Sequence, residues 1–264
     1  MRISRIKWRE AWLCLLTVAV SSLALWGCTG SAEDLPPAEE PPAEVPVKII
    51  NGAGRADVCR EIAAKLGVDV GAEVESYRDA NGNLDYSLRE TTILCDDAHL
   101  VQANAVREVV GVGSVASVPG LAQIEMIVGW DAAGPPWEDA PGNGVLVKKA
   151  EKAVYFLQNG ELAEVWPCAI GKPESPTPTG RYEVTVTLEK PTWYWQGKAI
   201  PPGPDNGLGD WFIGISKKGY GLHGTNEPPS IGTAASHGCV RMYNEHAGEL
   251  VSLVSPGTVV VIAE

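Results

Sequence analysis

Residues 220–242 read YGLHGTNEPPSIGTAASHGCVRM, and the interpretation of the whole chain depends on this stretch. Glycines and prolines interrupt it, and between them lie His223, His237, Cys239 and Arg241. A cysteine with a nearby histidine is a nucleophile with its base, the set that covalent catalysis needs. The two histidines and the cysteine are also possible zinc ligands, although the paired Cys-x-x-Cys or His-Glu-x-x-His spacing is missing. A third interpretation is a glycine-rich loop whose cysteine only fills space.

The residues on either side of this stretch predict the elements that hold it. Apolar residues at 212–215 predict a strand that delivers His223 to a sheet edge. Apolar residues at 247–254 recur at helical spacing, so a helix is expected to begin near Asn244, a residue type that caps helices well. Cys239 would then lie shortly before a helix N-terminus, where the positive end of the dipole favours a thiolate.

Four segments resemble a known family. H-G-T-N at 223–226 and S-H-G-C-V-R-M at 236–242 resemble the signature of the L,D-transpeptidase catalytic domain of the YkuD type. T-P-T-G at 177–180 and P-G-P-D-N-G-L-G at 202–209 match a turn and a loop of the same family. The resemblance covers about residues 143–264, and it implies a mainly-β, sandwich-like catalytic domain.

The resemblance also implies a role for each residue of the signature. Cys239 would be the nucleophile and His223 its base, with the carbonyl of Gly224 orienting the imidazole. The backbone N–H groups of Gly238 and Cys239 would face the oxyanion, while His237 would shape the pocket or support the oxyanion. The other assignments are a hydrogen bond within the loop and contacts to substrate, with an internal ion pair as the alternative for the arginine: Ser236, Arg241, Thr225 and Asn226.

The reaction implied is an acyl transfer in two steps that needs no cofactor or metal. Cys239 would attack the third, diamino-acid residue of a peptidoglycan tetrapeptide stem and expel the terminal D-alanine. Passing the thioester to the side-chain amine of a neighbouring stem would give a 3–3 cross-link. Water as acceptor would make the protein an L,D-carboxypeptidase, and the amine of an envelope protein would make it an anchoring enzyme. A non-catalytic wall-binding lipoprotein and a zinc hydrolase are the alternatives from other classes.

The N-terminal residues have the pattern of an export signal. A basic segment precedes the apolar run 11–26, so residues 1–27 are interpreted as a secretory signal peptide. Leu25-Trp26-Gly27-Cys28 resembles a bacterial lipobox, which would make Cys28 a lipidation site; an uncleaved signal anchor is the alternative. Residues 28–46 are rich in proline and glutamate, which predicts an extended spacer. The chain is therefore expected to be exported and tethered to a membrane of the bacterial cell envelope.

The charge of the chain limits its partners. It has 33 Asp and Glu against 21 Lys and Arg, a formal net charge of −12. Phosphate binding needs a basic face, so this balance argues against nucleic acid as a partner. Peptidoglycan stem peptides and a membrane are the partners that the other observations imply.

A first small domain is predicted at 47–131. Its pattern of strand, helix, strand, helix and strand predicts a small α/β layer. Its V-x-I-x-N-G-x-G opening resembles the C-terminal domain of LytR-type cell-envelope proteins, which implies no established activity, and its partner is unknown. Cys59 and Cys95 fall in this domain, and an exported location permits a disulfide between them, although pairing cannot be read from sequence.

The second domain is predicted at 144–264, after a linker at 132–143 rich in proline and glycine. Strands are predicted at 145–147, 154–157, 164–166, 182–187 and 258–262, with a hairpin turn at 158–161. Cys168 is interpreted as a buried apolar residue. Three tryptophans are expected either to line a substrate groove or to pack in the core: Trp193, Trp195 and Trp211. The fold class predicted is α+β with two domains, a small α/β domain followed by a mainly-β domain.

Overall fold

The structure is a computed structural model that describes residues 45–71, 74–133 and 140–264. The predicted signal peptide 1–27, Cys28 and nearly all of the spacer lie outside the described residues, as does half of the predicted linker 132–143. Among the helices of the described part, none combines the length and the apolar character needed to cross a membrane.

The first part of the chain forms a five-stranded sheet in which parallel and antiparallel pairs are mixed. Its strands, in chain order, are β1 (Val47–Asn51), β2 (Glu75–Ser76), β3 (Thr92–Cys95), β4 (Ser114–Ser117) and β5 (Ile124–Val128). Their order across the sheet is β2-β1-β5-β3-β4, so the first and last strands are neighbours at its centre. Two helices contribute to its core, α1 (Ala56–Leu66) and α2 (Leu100–Val110), and a short helix follows β5, α3 (Trp130–Ala133).

Local sequence explains the limits of α1. Its apolar residues recur every fourth position and face the sheet, and its C-terminus is at Gly67, which adopts the left-handed conformation at φ 65°. Cys59, within α1, and Cys95, at the end of β3, are both buried in this core. No disulfide joins them, because all cysteines of the described part are free thiols.

The second part of the chain is organised around an eight-stranded sheet, which confirms the mainly-β architecture predicted for it. From here to the C-terminus the strands are β6 (Gly144–Lys148), β7 (Ala153–Gln158), β8 (Glu161–Pro167), β9 (Ile170–Gly171), β10 (Gly180–Glu189), β11 (Trp193–Trp195), β12 (Lys198–Ile200), β13 (Trp211–Ile215), β14 (Gly221–His223), β15 (Ala234–Ser236), β16 (Val240–Arg241) and β17 (Val259–Ala263). The large sheet has the order β16-β14-β13-β10-β17-β6-β7-β8, while β11 pairs with β12 and β9 with β15.

The two edges of this sheet are built differently. The hairpin between β7 and β8 has the predicted turn, with Asn159 and Gly160 at φ 56° and 82°, values that suit a tight two-residue turn. At the other edge, β14 and β16 are parallel, with His223 opposite Arg241. Cys168 is fully buried in the core of the large sheet, as predicted.

The last helix, α4 (Asn244–Leu253), corrects one expectation. Asn244 was predicted to cap it, but Tyr243 occupies the cap position and Asn244 is the first helical residue. The Asn244 side chain points away from the helix end because it hydrogen-bonds backbone groups of two neighbouring loops, at Asp210 and Thr225.

The two parts of the chain contact each other over a shared apolar cluster. Tyr86 of the first part is buried among residues of β6, β7 and β8, including Leu146 and Tyr155. Trp130 packs edge-on against Tyr155, with ring centroids 5.5 Å apart. The guanidinium of Arg89 donates to the Ala163 carbonyl at 2.7 Å.

Candidate active site

A cavity of about 350 Å³ lies at the edge of the large sheet where β14 and β16 meet. His223, Cys239 and Arg241, predicted from the signature, all line it. The opposite wall is built from the segment between β10 and β13, including Trp193, Trp195 and Leu208. The fold therefore brings a thiol, an imidazole and a guanidinium to one concave surface, the usual form of a small-molecule site.

His223 ends β14 with its side chain buried and its orientation fixed. The Nδ1 atom lies 2.6 Å from the carbonyl oxygen of Gly224, the contact predicted for this pair. A carbonyl can only accept, so Nδ1 carries the hydrogen and Nε2 keeps its lone pair. Burial lowers the pKa of His223 to about 4, and the charge of Arg241 acts in the same direction. The imidazole is therefore neutral at pH 7 and can accept a proton.

Cys239 precedes β16, and its thiol is partly buried, with Sγ 3.8 Å from the Gly219 carbonyl. Burial raises the pKa of this thiol, while the Gly221 backbone and the charge of Arg241 act against that rise. Cys239 is followed by β16, and α4 begins at Asn244, where it was expected, so an effect of the helix dipole on the thiol stays a prediction. The resting pair is a neutral thiol and a neutral imidazole, so proton transfer would accompany attack by sulfur.

Ser236 closes a tight turn around Gly238. Its hydroxyl donates to the Cys239 carbonyl at 2.5 Å and accepts from the Gly238 N–H at 3.0 Å. The hydrogen bond within the loop predicted for Ser236 is thus present. The oxyanion contact predicted for Gly238 is corrected, because its N–H is already directed at Ser236. A glycine is required there, since its φ is 114° and a Cβ would lie 2.7 Å from the Tyr220 ring.

His237 lies at the mouth of the cavity. Its exposed imidazole lies beside Trp195, with ring centroids 5.1 Å apart. The zinc interpretation required His223, His237 and Cys239 to converge on one ion. Within residues 45–71, 74–133 and 140–264, no three His, Cys, Asp or Glu side chains are placed to hold a metal.

The position of Arg241 fits both interpretations, an internal ion pair and a contact to substrate. Its Nη1 atom lies 2.7 Å from a carboxylate oxygen of Glu227 and 3.5 Å from the Ser230 hydroxyl, so the internal ion pair exists. The same guanidinium also lines the cavity. An arginine has five N–H donors in a planar fork, so it can keep one partner and still bind a carboxylate.

Thr225 and Asn226 do not line the cavity, which corrects the substrate contacts predicted for them. Thr225 is only 1% exposed, and its hydroxyl accepts from the Glu227 N–H at 3.0 Å. The Asn226 amide donates to the Pro204 carbonyl at 3.0 Å. The Thr225 side chain is buried and the Asn226 side chain is exposed, and both are engaged by backbone groups of their own loop or of its neighbour.

Asn244 organises the site, and sequence reasoning missed it. Its Oδ1 accepts from the N–H groups of Thr225 and Asp210, and its Nδ2 donates to the Thr225 carbonyl, all at 3.0–3.1 Å. The amide fits because Gly209 and Gly224 leave room for it: a Cβ on either would lie about 2 Å from Oδ1. The two glycines in the matched segments were the signal that could have revealed this close approach.

Asn206 has a similar role in the 202–209 loop and was also missed. Its buried amide donates to the Pro191 carbonyl at 2.7 Å and accepts from the Leu208 N–H at 2.9 Å. These bonds hold the loop in the shape that presents Gly207 and Leu208 to the cavity.

Of the three tryptophans, two line the cavity and one packs in the core. The rings of Trp193 and Trp195 stack with centroids 5.4 Å apart, and both line the cavity. Trp211 packs instead against the core of the large sheet. Two of the three therefore present flat apolar surface to a ligand.

Comparison with known proteins gives a consistent family. The model of the L,D-transpeptidase catalytic domain, YkuD, matches residues 142–262. A Bacillus subtilis protein named as an L,D-transpeptidase, YqjB, is 37% identical over 126 residues, which cover 46% of this chain and 70% of that protein. The B. subtilis protein YkuD is 36% identical over 118 residues, covering 45% and 64%. An L,D-transpeptidase crystal structure from Mycobacterium tuberculosis aligns with 21% identity and a TM-score of 0.41, covering 56% of this chain and 64% of that one.

Proposed function

Because the chain belongs to the YkuD family of L,D-transpeptidase catalytic domains, we propose that it is a peptidoglycan L,D-transpeptidase that acts through a thioester on Cys239. One observation carries the proposal: the Cys239 thiol and the buried, neutral imidazole of His223 line the same cavity. A nucleophile and an oriented base that line one cavity are the groups that covalent acyl transfer needs.

The first step forms the thioester. Nε2 of His223 takes the thiol proton as Sγ attacks the carbonyl carbon of the third stem residue. The C–N bond to D-alanine then breaks, and the imidazolium returns the proton to the leaving amine. In the second step, the side-chain amine of another stem attacks the thioester, its proton passes through His223, and the C–S bond breaks to restore the thiol.

Other groups around the cavity would bind and stabilise the reacting stem. The Cys239 N–H is our candidate donor to the oxyanion, since that of Gly238 is engaged by Ser236. Arg241 would bind a stem carboxylate with the N–H groups that Glu227 leaves available. Trp193 and Trp195 would cover the apolar part of the stem.

We also propose that the protein works outside the cytoplasm, tethered through residues 1–27 or through a lipid on Cys28. The acceptor can vary, because the cavity supplies the same acylation step to any nucleophile. With water as acceptor the product is a tripeptide, and with an envelope protein's amine it is an anchored protein.

The test is mass spectrometry of a disaccharide-tetrapeptide incubated with the full chain under reducing, metal-free conditions. A dimer that has lost one D-alanine is expected with the wild type and with Cys59→Ala, a buried thiol outside the cavity. Cys239→Ala should make none. A tripeptide alone would change the activity to a carboxypeptidase. A product that persists in Cys239→Ala would exclude the thioester mechanism, and no product with the wild type would favour a wall-binding protein.

A further inference from the structure

One loop of the first domain reaches the second domain in a preformed shape. In residues 78–84, the first and last residues pair as an antiparallel bridge. The carboxylate of Asp79 accepts from the N–H groups of Asn81 and Asn83, at 2.9 and 2.8 Å. These bonds are all made within the loop, so its own sequence favours this shape.

Leu84, at the end of this loop, is buried against the second domain. It is 6% exposed and forms a cluster with Ala169, Ile231 and Tyr243. Its N–H donates to the Tyr243 hydroxyl at 3.1 Å. Its side chain lies so close to Gly232 that a Cβ there would be 2.5 Å from Cδ1 of the leucine. Leu84 is therefore packed tightly between two segments of the second domain.

The first of these segments, residues 225–233, leads directly to the active site. It contains Ile231 and Gly232, which Leu84 contacts, and also Glu227 and Ser230, which contact Arg241. The strand that follows it ends at Ser236, whose hydroxyl fixes the turn before Cys239. A shift of this segment would therefore move both the guanidinium and the thiol.

The second segment that Leu84 contacts contains Tyr243, whose neighbour along the chain bonds to the backbone of His223. Tyr243 follows Met242, whose N–H donates to the His223 carbonyl at 2.8 Å. The chain from Cys239 to Tyr243 is thus held on one side by the strand that carries His223, and at its end by the first domain.

We propose that the first domain is an intramolecular brace for the active site and that Leu84 is its positioning residue. By holding residues 225–233 and Tyr243, Leu84 keeps Cys239 and Arg241 in register with His223. The inference rests on the proposed function in taking Cys239 as the reactive thiol, but it needs neither a particular acceptor nor a particular stem.

The experiment measures alkylation of Cys239 by iodoacetamide in the full chain, from pH 3 to 9, with mass spectrometry of the Cys239 peptide. The second measurement is kcat and KM for cross-linking. Leu84→Ala should lower the alkylation rate at pH 7 and kcat by about tenfold or more, since small misplacements of reacting groups are costly. In this variant His223 should no longer take the thiol proton, so the alkylation rate should rise with pH only as the Cys239 thiol ionises by itself. Leu84→Met, which keeps the volume, should restore both readouts.

Two variants separate positioning from general destabilisation. Tyr243→Phe keeps the ring but removes the acceptor for the Leu84 N–H, so it should shift the profile in the same direction by a smaller factor. Ile62→Ala removes a core side chain of the first domain that is outside the Leu84 cluster, so the wild-type profile is expected below its unfolding temperature. A wild-type profile in Leu84→Ala, or an equal loss in Ile62→Ala, would overturn the brace. If the variants change the alkylation of Cys239 as expected but the wild type makes no cross-linked product, the proposed function is wrong and the brace still holds.

Discussion

The buried His223 makes the stability of the protein depend on pH. Its pKa is about 4 in the folded chain, against about 6.5 for an exposed histidine. Between these values the unfolded chain binds more protons, so the free energy of unfolding falls as the pH drops, by up to about 3 kcal/mol. Urea unfolding at pH 7 and pH 4 should show this loss in the wild type and not in His223→Gln. Parallel pH dependences of the two proteins would contradict the lowered pKa.

Asn244 holds two loops through three hydrogen bonds. Because each such bond contributes about 1 kcal/mol, Asn244→Ala should lower the free energy of unfolding by about 3 kcal/mol. Asn244→Asp keeps both acceptor bonds and loses the donor bond, so its loss should be smaller. Asn226→Ala, which removes one exposed hydrogen bond to Pro204, is the matched control and should stay within about 1 kcal/mol of the wild type in the same denaturant titration.

At the scale of elements, the 202–209 loop forms one wall of the cavity without regular secondary structure of its own. The Asn206 side chain supplies the hydrogen bonds that a neighbouring strand would otherwise provide. Asn206→Ala should therefore loosen the loop and raise the KM for the tetrapeptide several-fold, with a smaller effect on kcat. Steady-state kinetics beside Asp205→Ala, an exposed neighbour in the same loop, would isolate the effect. Equal KM values for the two variants would exclude this role of Asn206.

The elements with regular patterns could be predicted, and those held by distant contacts could not. Alternating or continuous apolar runs indicated β7, β8 and β10, and Asn159-Gly160 indicated the hairpin turn, because these signals are local. The start of α4 was placed correctly, but the role of its first residue was not. An asparagine before an apolar run looks like a cap, and only the fold shows the two glycines that let its amide approach another loop.

At the scale of the whole molecule, the same limit applies to the active site. The residue types of the signature predicted that His223, Cys239 and Arg241 would meet, and the sheet edge brings them together. Type and spacing do not say which way a side chain turns, which is why Thr225 was wrongly expected to face substrate. The bond between Leu84 and Tyr243 joins residues 159 positions apart, and no pattern in the sequence relates them.

Strand β17 has a consequence for how the protein is made. It lies between β10 and β6 and so joins the two halves of the eight-stranded sheet, yet it is the last strand described in the chain. A ribosome therefore has to complete residues 259–263 before that sheet can close, and until then two open strand edges face the surroundings. Until that strand is made, the part of the sheet that carries His223 and Arg241 has no link to β6, β7 and β8.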